Sequence, residues 1–167
     1  MIKILHRIEW FLGLVLLQVL VLNHMHIGGY ATPFFYIYFI LKFNSRVGRN
    51  GLMLWAFALG LTVDMFGNTP GVNAAAATCL AFFRTPLMRL VTLRDVDEGF
   101  RPGVKTLGVA SFFRYVLLTC GLFCTVIWLI DTFSFFHIGT LLLKILASTV
   151  STLICVMCAE SIGGKKE

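Results

Sequence analysis

Clusters of lysine and arginine alternate with long apolar runs along this chain, and that alternation limits its fold more than any single motif does. Apolar stretches lie at approximately 8–22, 33–43, 51–65, 70–83, 107–130 and 138–157. Lys3 and Arg7 precede the first, and Lys42, Arg46 and Arg49 follow the second. Arg84, Arg89, Arg94, Arg101 and Lys105 follow the fourth, and Lys165 and Lys166 follow the sixth. The connections near 23–32, 66–69 and 131–137 contain neither lysine nor arginine. Basic residues at helix ends are retained on the cytoplasmic side of a membrane. Twelve of the fourteen basic residues therefore sort to one side, with Arg114 and Lys144 left inside helices. The expectation is an all-α membrane protein of one domain, residues 1–167, with six transmembrane helices, both termini cytoplasmic and three helical hairpins pointing outward.

Composition agrees, since 58% hydrophobic residues and a mean hydropathy of +0.87 are too high for a soluble domain of this length. The net charge of +6 is accounted for by orientation and by anionic lipid at the inner leaflet, so no nucleic-acid partner is needed to explain it. The first apolar run has the basic start of a signal peptide, but Asn23-His24-Met25-His26 follows Leu22 where a small-x-small cleavage site would stand. It is expected to remain as the first helix.

Thr32-Pro33 and Thr69-Pro70 each read as a helix start, a threonine cap before a proline at the first helical position. A third pair, Thr85-Pro86, predicts a short interfacial helix inside a cytoplasmic loop at 84–106, with Leu87, Met88, Leu90, Val91 and Leu93 toward lipid and Arg84, Arg89 and Arg94 toward headgroups. Helices limited to 33–43 and 70–83 would reach only ~17 and ~21 Å against ~30 Å of hydrocarbon. The hairpin tips should then lie below the outer surface, around a depression open to the outside. Asp64 falls at that depth. A carboxylate facing lipid costs several kcal/mol or more, about the scale at which it must instead find hydrogen bonds. The backbone donors of Asn68 to Val72, at the positive end of the following helix, are the nearest candidates. The plainest role for Asp64 is to clamp this turn; contact with a partner and an ion or proton site are the alternatives.

Few other residues suggest chemistry. The acids are scattered, and no serine elbow, phosphate-binding glycine loop or metalloprotease motif is present, so no enzyme is expected. Cys120 with Cys124 and Cys155 with Cys158 lie within predicted spans without a His or acid at ligand spacing, which favours helix packing over a metal or cofactor. His24 and His26 lack an evident third ligand. Phe34, Phe35, Tyr36, Tyr38 and Phe39 read as lipid contact and core packing rather than a slot for an aromatic ligand. Alanines 74 to 77 make the fourth stretch slim enough for close helix approach, internal or from a partner.

Gly60-Leu61, Asp64 three residues on, Gly71 after a turn and Ala74 three residues later resemble the signature of the bacterial rod shape-determining protein MreD family. The likeness is concentrated in residues 51–84, with "GGYATPFFYIYF" at 28–39 similar to a branch of the same family. Pro70, where other members often carry a larger aliphatic residue, is a local departure. The resemblance implies a multi-pass protein of the bacterial cytoplasmic (inner) membrane, folded like the substrate-binding subunits of energy-coupling-factor transporters. It implies association with the bitopic protein MreC, and a link, direct or indirect, between actin-like MreB filaments and peptidoglycan synthases that maintains cell shape. On that reading Gly60, Asp64, Asn68, Thr69, Pro70, Gly71 and Ala74 are the structural or partner-interface residues. The competing expectation is a transporter subunit that binds a vitamin-like molecule, for which Asp64, Asn68, Asn73 and the loop histidines are the polar side chains able to converge.

Overall fold

A computed structural model of the chain describes residues 2–21, 32–43, 48–91, 102–132 and 138–163. Every regular element among them is a helix: α1 Ile2–Leu20, α2 Ile37–Leu41, α3 Arg49–Gly67, α4 Val72–Val91, α5 Val104–Leu107, α6 Val109–Thr132 and α7 Ile138–Gly163. Among the described residues, α3, α4, α6 and α7 are long and apolar enough to cross a membrane, and Glu9–Leu20 within α1 is a shorter apolar helix. Four candidate spans thus stand where six were expected, and the difference lies in the first two stretches.

The second stretch does not form a helix long enough to span a membrane. Residues 32–36 are non-helical and α2 has only five residues, so Thr32-Pro33 does not start a helix. Tyr36, Ile37 and Ile40 are fully buried, which places these side chains in the protein core rather than against lipid. Irregular backbone can lie within an apolar bundle only if protein groups satisfy it, and the neighbouring helices supply them. Gln18 of α1 accepts the Phe35 N–H at 2.9 Å and donates to the Pro33 carbonyl at 3.0 Å. From α7, Thr152 Oγ1 accepts the Phe34 N–H at 3.0 Å and Ser148 Oγ accepts the Thr32 N–H at 3.3 Å. The segment then packs through its rings: Phe34 and Tyr36 meet Phe123 of α6 edge-on, and Phe39 meets Phe11 of α1.

The third and fourth stretches form an α3–α4 hairpin whose helices run 19 and 20 residues, about 28 and 30 Å at 1.5 Å per residue. Both can cross the hydrocarbon, so the expected shortfall in length does not arise for this hairpin. The expected interfacial helix is also absent, because α4 continues through Pro86 to Val91. Proline removes one backbone donor, a loss that packed helices tolerate. The reason to continue is Arg84: it is buried in the bundle, not turned to headgroups, and its Nη2 donates to the carbonyls of Leu41 and Phe43 where α2 ends. Residues 92–101, with Arg94, Asp95, Asp97, Glu98 and Arg101, lie outside the described residues, as do His24 and His26.

Packing follows small residues. On α3, Ala56, Leu59, Gly60 and Val63 face the buried Ala74, Ala77, Leu80 and Ala81 side of α4, which in turn packs on α6. The opposite faces stay apolar and exposed, with Leu54, Phe57, Leu61 and Met65 along α3 and Leu142, Leu146, Val150 and Ile154 along α7. Helices apolar both inside and outside are what a bilayer requires.

Candidate functional site

The α3–α4 turn gathers most of the residues singled out above. α3 ends at Asn68, the only non-glycine residue described with positive φ (54°), and its N–H returns to the Asp64 carbonyl. Asparagine enters that left-handed region at low cost. Gly71 follows with φ of 83°, where a side chain would be strained. Thr69 and the exposed Pro70 complete the turn, and α4 begins at Val72.

Asp64 is turned into this turn and is 4% exposed. Its Oδ1 accepts the Asn73 N–H at 3.0 Å, Asn73 Nδ2 at 2.8 Å and Thr69 Oγ1 at 2.9 Å, and its Oδ2 accepts the Ala74 N–H at 2.9 Å. The backbone donors therefore lie one and two residues beyond the Asn68–Val72 range expected, since the helix starts two residues after Pro70. The carboxylate does the work of an N-cap from the preceding helix: it satisfies N–H groups of the first turn of α4 and meets the positive end of its dipole. Oδ1 thus takes three donors and Oδ2 one, an uneven set that leaves one of the roughly four lone-pair positions, on Oδ2, without a described protein donor.

Gly60, one helical turn earlier on α3, sets how closely the helices approach. A Cβ there would stand 2.5 Å from Ala74 Cα and 2.6 Å from the Asn73 carbonyl oxygen, so only glycine fits. Gly60, Asp64, Asn68, Thr69, Gly71 and Ala74 thus act on one joint. Two members carried no sequence expectation as parts of it. Asn73 donates its side-chain amide to Asp64 and to Thr69 Oγ1, and its Oδ1 accepts Tyr36 Oη at 2.8 Å. Tyr36 thereby ties the joint to the buried second segment. The available signal was an asparagine directly before a run of alanines, polar where the helix should be apolar.

Beside the joint is a cavity of about 380 Å³ whose lining includes the buried Asn73, Thr69 and the exposed Asp131. Away from it, where α4 and α7 end, a second polar cluster joins three segments. Glu160 of α7 pairs with Lys42 at 2.8 Å and accepts Tyr38 Oη at 3.0 Å and the Val104 N–H at 3.1 Å. A Cβ at Gly103 would come within 3.2 Å of Glu160 and 3.3 Å of Lys42. No sequence expectation named this cluster.

The five cysteines have free thiols, with Cys120 and Cys124 buried in α6 and Cys158 exposed on α7. Among the described residues no group of three or more His, Cys, Asp or Glu is placed to hold a metal ion. No family model, curated protein or solved structure matches the chain.

Proposed function

We propose that this chain is a non-enzymatic membrane scaffold of the MreD type, set in the bacterial inner membrane with both termini cytoplasmic. In this role it associates with MreC and helps couple MreB filaments to peptidoglycan synthesis. One observation supports the reading most. The residues that carry the resemblance, Gly60, Asp64, Gly71 and Ala74, serve a single structural joint whose carboxylate accepts four protein donors. A joint tied by four bonds holds a shape, and a held shape suits a protein that presents surfaces to partners. The apolar face Leu54, Phe57, Leu61 and Met65 on α3 is one such surface.

The test is affinity recovery of the intact chain from mild detergent after site-specific crosslinking near residues 65–70 in cells. Recovery of a bitopic coiled-coil protein is expected, together with loss of rod shape on depletion. Recovery of a paired ATPase in its place would favour the transporter-subunit reading, for which the cavity beside the joint is the supporting observation. Orientation has its own check: a cysteine at 92–101 should label only after the membrane is permeabilised, and labelling in intact cells would reverse the topology.

A further inference from the structure

The cavity beside the α3–α4 joint has walls of an uneven kind. Phe34, Phe66, Ile127 and Trp128 supply apolar and aromatic surface, and the volume of about 380 Å³ lies at the small end of ligand pockets. Thr69 and Asn73 in its lining have little to offer a ligand, because their side chains are committed to Asp64, Tyr36 and each other. Asp131 is the only charged side chain among the described lining residues, which include no Lys or Arg. Asp131 is exposed and makes no hydrogen bond or ion pair with a described residue. It follows Trp128 by three residues on α6, so the carboxylate and the indole share one helix face.

Trp128 is held in place, its Nε1 donating to Ser148 Oγ at 3.1 Å. Its ring already attracts a cation, since Lys144 Nζ lies 4.8 Å from the centroid, and Lys144 is not part of the cavity lining. A small cavity with an exposed carboxylate, aromatic walls and no basic group among its described lining residues suits a compact organic cation better than an anion.

We propose that this cavity binds the ammonium group of a small amine, with Asp131 as its counter-charge and Trp128 and Phe66 as its walls. Two sources carry that chemistry: the ethanolamine headgroup of a phospholipid, or a free amine from solution. The exposed Met65 and Phe66 at the end of α3 would let a lipid reach the opening from the bilayer. The inference rests on neither functional reading above, and partner recovery would be unaffected by its failure.

The test uses the full chain labelled with 5-fluorotryptophan in nanodiscs of phosphatidylglycerol, a lipid without an ammonium group. Trp10, Trp55 and Trp128 give separate fluorine signals, and Trp128→Phe assigns the third. Ethanolamine or choline added from solution should shift the Trp128 signal saturably and leave Trp10 and Trp55 in place. Asp131→Asn should weaken the response about tenfold. A shift that appears only when phosphatidylethanolamine is included, and is likewise reduced by Asp131→Asn, assigns the headgroup as the source. The proposal is overturned if neither source moves the Trp128 signal, or if the Asp131→Asn protein responds as the unaltered chain does. The Trp10 and Trp55 signals report in the same spectrum that the variant is folded.

Discussion

Asp64 is the residue at which sequence and structure meet most closely. A lone carboxylate late in an apolar run, followed by Asn-Thr-Pro-Gly, is legible as a clamp because hydrocarbon leaves such a group no other tolerable setting. The identity of its donors was not legible, since that depended on where α4 begins and on an asparagine side chain whose direction the sequence does not encode. The donors decide what substitutions do. Every group facing the carboxylate is a donor, so Asp64→Asn can keep its oxygen at the Oδ1 position but must turn an NH₂ toward the Ala74 N–H. That should cost about 1–3 kcal/mol, as for one buried donor left unpaired. Asp64→Leu removes the acceptor from all four donors, of which Asn73 Nδ2 alone keeps another described partner, Thr69 Oγ1, and should remove most folded protein from the membrane. Thermal unfolding in detergent would rank the two, and equal stability of both with equal loss of partner recovery would mean that the charge itself acts on a partner.

Among elements, α3 and α4 show how a single missing atom fixes a helix pair. With Gly60 against the Ala74 backbone, Gly60→Ala forces the helices apart at the joint, whereas Gly13→Ala in α1 meets nothing within 4 Å. The first should lower the unfolding midpoint clearly and the second should leave it unchanged or slightly raised, alanine being the better helix former. The long apolar runs behind α3, α4, α6 and α7 were plain in the sequence because length and hydropathy alone make a candidate span. The run at 33–43 looked similar and is something else, a buried segment with a five-residue helix. Nothing within that run distinguishes the two cases; the distinguishing residues are Gln18, Ser148 and Thr152, polar groups on distant helices. Likewise Thr85-Pro86 has the form of a helix start, and only the position of Arg84 under the end of α2 shows why the helix continues.

For the whole molecule, the Glu160 cluster ties α7, α2 and the start of α5 together where the chain would otherwise diverge. Glu160→Ala should cost about 1–3 kcal/mol, because it removes the acceptor shared by the part-buried Lys42, Tyr38 Oη and the Val104 N–H; Lys42→Met combined with Glu160→Leu should cost less than the single change. A double variant no more stable than Glu160→Ala would show that the pair itself, rather than the cost of leaving it half-broken, sets the stability there. A different consequence follows from the hydrogen bonds between residues 32–34 and α7, which join positions 116 and 118 apart in the chain. During synthesis the second segment leaves the ribosome long before its acceptors exist, and N-terminal parts otherwise fold first. Until Ser148 and Thr152 arrive, its backbone must be held by a helix of its own, by water or by the insertion machinery. A chain ending after Thr132 should therefore be cleared by membrane proteases despite containing α1 to α6, and co-expressing residues 133–167 as a separate piece should rescue it. A helix made more than a hundred residues later is what allows one of the first segments to settle.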